Sequence, residues 1–459
     1  MLNFKIAQAY KHVLPLVGGN SNAAAVFQTV GGRAMMLGVN FGTGVVVARS
    51  LGPFGRGEMA AIGLWSTFLA ALVTLGIPTA LAYQTRRRPE HGPENFAVSV
   101  FMMLVMGGVA AAVGIFIIPL LLRGYDHSAV RAAQAFMLFA PTILLSHVVS
   151  AHLEAVGAFR RSILAQFNPS IVTLLALVIL HLWAHFSPML AALAYAVPSS
   201  LQALWLVARL WPRGLHSLSG LVGRARDLLR YGLRSYGTDI VGTLASQLDL
   251  AVIVMFLSAA QLGLYSIALT LSRLLNIVQA SLVSVIFPRA SSLDPEEGIA
   301  LITRAARVST MMSIGLGALF LLIVPILLPR LYGGDFRAAI ALLPLLTVEA
   351  IIGGLGNVLK QSFLASGRPF VVTVIEAGSI VCAVSFLFVL VPRMNILGAA
   401  TALLCTSVLR VAAIMAAYRF VLERPIPRLL ADAADLAYIG DKIVAKSEPR
   451  RAVRLAKGS

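Results

Sequence analysis

"ARSLGPFGRGEMAAIG", residues 48–63, decides how the rest of the chain is read. Gly52, Gly55 and Gly57 stand beside Arg49 and Arg56, a pattern shared with phosphate loops, whose backbone N–H groups cradle anions. A phosphate loop follows a strand, whereas apolar, helix-like sequence flanks this turn on both sides. The other reading is a tight hairpin between two membrane-spanning helices. That needs one permissive glycine, which the spacing assigns to Gly57.

Composition selects the second reading. The chain has 459 residues, of which 58% are hydrophobic and only 12% charged. Soluble domains carry about 25% charged residues, so this inventory does not cover a water-facing surface. The expected fold class is an all-α polytopic membrane protein. "MLNFKIAQAYK" (1–11) is followed by no signal-peptide core, so the first apolar run reads as a retained span. Cys382 and Cys405 both lie in apolar runs and suggest no disulfide framework.

A spanning helix needs about 20 mostly apolar residues. That rule gives twelve spans: 25–50, 59–83, 96–122, 130–153, 163–183, 187–211, 236–257, 261–288, 307–329, 337–364, 370–392 and 396–418. Positively charged connections stay cytoplasmic. With the N-terminus inside, Lys and Arg in the connections and at the ends of these approximate spans number 25 inside and 7 outside. Both termini are therefore expected in the cytoplasm. The +18 net charge belongs to loops and tail, where it reports topology rather than nucleic-acid binding.

A long internal repeat organises the spans. "LGPFGRGEMAAIG" (51–63) aligns with "LSAAQLGLYSIAL" (257–269) at an offset of 206, placing Gly57 over Gly263. The same offset places "PLLLRGYDHSAVRAA" (119–133) over "PILLPRLYGGDFRAA" (325–339). Six spans separate matched positions, so the repeat is parallel, with a substrate site expected in a central cavity between two six-helix lobes. The expected divisions are an N-terminal segment 1–24, a lobe 25–211, an amphipathic cytoplasmic linker 212–235, a lobe 236–420 and a basic tail 421–459.

Charges inside a membrane are costly and usually face a cavity or each other. Arg33, Arg273, Lys360 and Arg410 fall within spans; together they favour an anionic substrate, since guanidinium forks match phosphate. For Arg33 and Arg273 a cavity role and a buried ion pair both remain open. Arg234 sits where a long side chain snorkels to the interface. The acidic candidates for coupling are Glu376, Asp249 and Asp239; Asp249 also suits a helix-packing acceptor. Glu376 has no basic residue within its own turn. No catalytic or metal-binding residues are expected: His147 and His152 are spaced i,i+5, and Asp-x-Asp is absent.

Three stretches carry a resemblance. "VVVARSLGPFGRGEMAAIGLWSTFLAALVTLGIPTAL" (45–81) resembles the opening spans of the polysaccharide-exporter flippases. "SQLDLAVIVMFLSAAQLGLYSIALTLSRLLNIVQASLVSVIFPRAS" (246–291) resembles their middle, and "LYGGDFRAAIALLPLL" (331–346) with "FLASGRP" (363–369) their later spans. The group belongs to the multidrug, oligosaccharidyl-lipid and polysaccharide exporter superfamily. Met59 departs from the aromatic residue common after the first hairpin glycine, while Tyr265 keeps it in the second half.

The resemblance implies alternating-access transport of a polyprenyl-diphosphate-linked oligosaccharide across a bacterial inner membrane, for exopolysaccharide, capsule or O-antigen export. It implies no bound cofactor, coupling to H+ or Na+ in some members, and partnership with membrane lipids, a glycan polymerase and export proteins. The competing readings are a cation-coupled drug exporter of the same superfamily and a membrane-embedded glycan ligase or glycosyltransferase. The drug exporter predicts an acidic cavity, and the ligase a long outer loop carrying catalytic carboxylates. The outer loops here are short.

Overall fold

Inside a bilayer no water satisfies backbone N–H and C=O groups, so apolar runs close their hydrogen bonds internally as helices. The computed structural model describes residues 22–183, 186–212 and 218–428, without the side chains of 22–34, 37, 218, 219, 238 and 285. Within that range every regular element is helical. In order they are α1 (Asn22–Leu72), α2 (Ile77–Arg87), α3 (Gly92–Leu121), α4 (His127–Phe136), α5 (Ala140–Ala155), α6 (Phe159–Leu182) and α7 (Pro188–Leu210). They continue as α8 (Leu218–Phe256), α9 (Ala259–Arg273), α10 (Asn276–Ala290), α11 (Pro295–Tyr332), α12 (Leu343–Leu359), α13 (Gln361–Ala365) and α14 (Pro369–Phe420). The expected segment 1–24 lies almost wholly outside the described residues, as does the tail beyond 428.

Among the described residues eight helical stretches are long and apolar enough to cross a membrane, and ten if each of two bent pairs is one span. This is a multi-pass membrane protein. Two of the runs are too long to be single spans. α14, with 52 residues, leaves helical geometry at Asn395 (φ 50°, ψ −129°). On a straight helix Glu376 and Arg410 would stand about 50 Å apart; their side chains lie 3.7 Å apart, so the run folds back on itself. α1 breaks at Gly52 (φ 63°, ψ −174°). There the structure corrects the sequence reading: the left-handed turn residue is Gly52, while Gly57 lies in the helix after it.

Other expectations meet small surprises. The interruption at Asn168 and Pro169 leaves α6 continuous through a buried proline. The linker does not end before the seventh span: α8 runs 39 residues from Leu218 through to Phe256. Large apolar side chains such as Phe116 (84% exposed) and Leu322 (69%) stand outward, as lipid-facing surfaces require.

The chain packs as two units, Met1–Ser266 with Pro329–Phe336, and Ile267–Leu328 with Arg337–Ser459. In unit 1, Val47, Leu177 and Ala191 form one apolar cluster, and Ile62, Phe136 and Ala192 another. At one end of unit 1, Arg49 donates from Nε to Leu331 O (2.7 Å) and from Nη2 to Arg330 O. Nearby contacts join Phe41 edge-on to Tyr332 (6.1 Å between centroids) and the Tyr125 hydroxyl to Leu257 O (3.3 Å). In unit 2, Ile302, Leu359, Phe363, Ile414 and Tyr418 form the core. The Tyr418 hydroxyl there donates to Ser362 Oγ (2.6 Å).

Candidate functional site

Unit 1 encloses two adjoining cavities within its helices, of about 490 and 420 Å3. They share Ser146, Tyr195 and Ser199 as a common wall. The arm of α1 before Gly52 supplies Met36, Asn40 and Thr43 to the first, and the arm after it supplies Arg56, Ser66 and Thr67 to the second. The break at Gly52 is therefore what brings two faces of one helical run to a single site.

The walls are rich in hydroxyls and amides. Thr43, Ser146, Ser170 and Ser199 each donate to a carbonyl of their own helix three or four residues back. A hydroxyl that has spent its one proton in this way still offers oxygen lone pairs as acceptors. Gln166 and Gln202 add amide groups to the first cavity, and Thr142 and Ser200 join at 2.7 Å across the second. Phe136 and Phe139 supply the apolar side of the second. Among the described residues no Asp or Glu lines either cavity.

Among the described residues, Arg56 is the one Lys or Arg on these walls. Its Nη1 reaches only the sulfur of Met59, at 3.9 Å, and its Nε is buried with no hydrogen-bond partner. Buried polar groups are nearly always paired, so an orphaned guanidinium N–H on a cavity wall is a group prepared for an incoming acceptor. Loop counting missed it. By position Arg56 belongs to a short outer connection; only the turn at Gly52, one residue before the second arm begins, shows that it is already in a helix.

The residues singled out from sequence divide between the units. In unit 2, Lys360 Nζ pairs with Glu376 Oε1 at 2.9 Å, and Arg410 Nη1 stands 3.7 Å from Glu376 Oε2. Ser407 donates to Glu349 Oε1 (2.8 Å) and lies 3.5 Å from Arg410 Nη2. Gly353 makes room for this network, since a Cβ there would stand 3.1 Å from Glu349 Oε1 and 3.2 Å from Arg410 Nη2. Two presumed anion binders and one presumed coupling acid thus form one charge cluster spread over three helical segments.

In unit 1, Asp239 accepts from Thr79 Oγ1 at 2.9 Å, and Asp249 Oδ1 accepts from the backbone of Leu250 at 2.8 Å. Arg273, in unit 2, is exposed. Arg33 lies in α1, with its side chain outside the described residues.

Residues 25–294 match the model of a family described as "Polysaccharide biosynthesis protein". Among curated proteins the chain is 26% identical over 305 residues to the succinoglycan biosynthesis transport protein ExoT of Rhizobium meliloti, covering 63% of this chain and 59% of that one. It is 24% identical over 224 residues to the probable low-salt glycan biosynthesis flippase Agl15 of Haloferax volcanii, covering 46% of each. The matches thus span about half the length of these relatives.

Solved structures share the fold. The lipid II flippase MurJ in an inward closed conformation superposes with a TM-score of 0.72 at 12% identity, over 86% of this chain and 87% of that one. An inward-facing multidrug resistance MATE family transporter of the MOP superfamily gives 0.62 at 18% identity, over 88% and 98%.

Proposed function

This chain belongs to the polysaccharide biosynthesis protein family, and on that premise we propose that it is a flippase for a polyprenyl-diphosphate-linked oligosaccharide in a bacterial inner membrane. The observation that carries the reading is the pair of cavities in unit 1. A glycan presents many hydroxyls and an anionic or neutral surface. Walls of hydroxyls and amides that carry, among the described residues, an arginine with an unbonded Nε and no carboxylate match that chemistry. An organic cation would meet the wrong sign of charge there, which argues against the drug-exporter reading. The relatives point the same way: one is a succinoglycan biosynthesis transport protein and another a probable glycan biosynthesis flippase.

The architecture proposed for this task has twelve spans in two parallel six-helix lobes, with both termini cytoplasmic. The fold-back of α14 at Asn395 and the break of α1 at Gly52 support the count, since each divides one run into two arms of spanning length. Arg33 and Arg273 remain proposed anion contacts of a central cavity. The Lys360–Glu376–Arg410 cluster is proposed as a place where protonation or reorganisation accompanies transport.

The test is to delete the gene in the native host and follow the lipid-linked glycan. Glycan should accumulate on the cytoplasmic leaflet and be cleared by the wild-type protein but not by an inserted Arg56→Ala variant. Normal glycan translocation in the deletion strain, or failure of sugar assembly before translocation, would overturn the reading.

A further inference from the structure

The polar turn after α2 and the amphipathic first half of α8 meet in unit 1 and enclose a separate cavity of about 310 Å3. At its other end α2 is held to α8 by a close backbone approach: a Cβ on Gly76, just before α2, would stand 2.4 Å from Gly232 O, and one on Gly232 2.5 Å from Leu75 O. One wall is Tyr83 stacked on Tyr231, with centroids 4.3 Å apart and planes 11° from parallel.

The arginines of this cavity fall into two groups. Arg224 is held by Glu94 and by His91 Nδ1 (3.0 Å), and Arg87 donates to the Tyr83 hydroxyl (2.9 Å). Arg88, Arg230 and Arg234 also line it, and among the described residues no carboxylate stands within ion-pair distance of them, Asp227 included.

The 206-residue offset carries the 83–95 turn onto 289–301, part of which lines a cavity of about 910 Å3 in unit 2. Glu296 and Glu297 stand on that wall and Glu296 pairs with Arg424, so the gathering of arginines without an ion-paired carboxylate belongs to the unit 1 cavity. A surplus of positive loops accounts for basic residues at a membrane surface. It does not account for three of them gathered on one cavity wall beside a stacked tyrosine pair.

We propose that the unit 1 cavity binds a lipid-borne phosphate: the phosphodiester of an anionic phospholipid or the diphosphate of a polyprenyl carrier. Guanidinium forks pair with phosphate oxygens, tyrosines concentrate where lipid meets water, and basic pockets between membrane helices take phosphate headgroups. The site is apart from the hydroxyl-lined cavities and stands whether or not the transport reading does.

The experiment compares the wild type with the Arg88→Gln/Arg230→Gln/Arg234→Gln variant in nanodiscs of phosphatidylcholine alone, with added phosphatidylglycerol, or with added undecaprenyl diphosphate. Retained lipid is measured by native mass spectrometry, and folding by circular dichroism. The wild type should hold one of the two anionic lipids, with the triple variant weaker by on the order of a hundredfold. Loss confined to the phosphatidylglycerol arm identifies a membrane phospholipid; loss confined to the diphosphate arm identifies the carrier. Arg160→Gln/Arg161→Gln, also surface arginines, should retain lipid as the wild type does. Equal retention by the wild type and the triple variant, equal loss in the Arg160/Arg161 variant, or no retention of either lipid by the wild type overturns the proposal. Should the triple variant misfold, single Arg88→Gln and Arg234→Gln variants give the same reading at smaller effect.

Discussion

Gly57 and Gly263 meet in a reciprocal backbone contact within unit 1. A Cβ on Gly57 would stand 1.7 Å from Ala259 O, and one on Gly263 would stand 1.9 Å from Pro53 O. Pro53 and Ala259 are separated by the same 206 positions as the two glycines, so the contact maps onto itself under the sequence repeat. That self-complementarity is the mark of a two-fold relation between like surfaces.

Alanine at either glycine must therefore push the two turns apart. Gly57→Ala and Gly263→Ala should each destabilise by about 1–3 kcal/mol, the usual cost of overpacking. Gly63→Ala, which meets nothing within 4 Å, is the control and should be near neutral. Thermal unfolding in detergent measures all three. Equal shifts at 57, 63 and 263 would show that the contact does not limit packing.

Glu376 is 9% exposed and holds two cations, so its removal leaves both uncompensated. Glu376→Gln should cost about 3–5 kcal/mol, as breaking a buried ionic cluster does. Lys360→Met should cost less, because Arg410 still balances the carboxylate, and the double variant should recover part of the loss. Unfolding midpoints alongside glycan flux separate two roles. A fall in both marks a structural cluster, and lost flux at unchanged stability marks Glu376 as the coupling acid.

What the sequence made legible follows the reach of each signal. The all-helical, multi-pass class was readable because hydropathy is local, and the expected gap between 392 and 396 contains the observed break at Asn395. Gly57 was singled out for the wrong reason: sequence marks a glycine but does not distinguish a left-handed turn, found at Gly52, from a close approach by a distant backbone. The partners of Glu376 were invisible, since Lys360 lies 16 positions earlier and Arg410 comes from the other arm of a folded-back helix. Arg56 was hidden by counting itself, which treats every arginine near a helix end as a loop charge.

Arg56 carries the proposed function most directly. Arg56→Ala should insert and fold, yet slow glycan translocation about tenfold to a hundredfold, the worth of one charged hydrogen bond of about 1.5–3 kcal/mol. Arg56→Lys should retain part of the activity, because a point charge replaces the fork without its geometry. Surface expression and export rate are both measured. Wild-type export by Arg56→Ala would remove this residue from the site.

Two helix ends are capped by side chains from elsewhere in the chain. The last carbonyls of a helix lack intrahelical partners and carry partial negative charge. At the end of α11 the Arg49 fork satisfies Arg330 O and Leu331 O, and just beyond α8 the Tyr125 hydroxyl satisfies Leu257 O. Burial, helped by nearby Glu58, pushes the Tyr125 phenol above its usual range, so it remains a donor in the folded protein. A group whose folded pKa is raised contributes stability in full below its unfolded value, near pH 10 for tyrosine, and loses it as pH rises through the folded value. The Tyr125 contribution should hence be flat across neutral pH and decline only in strong alkali, and Tyr125→Phe should abolish that decline at a cost of about 1 kcal/mol. Arg49→Ala should cost up to about 2 kcal/mol, with Arg49→Lys intermediate because its charge faces the helix end without a second donor in plane. Unfolding midpoints from pH 6 to 11 decide it: a neutral-pH titration lost in Tyr125→Phe, or an Arg49→Lys variant as stable as the wild type, would show that these ends are held by something else.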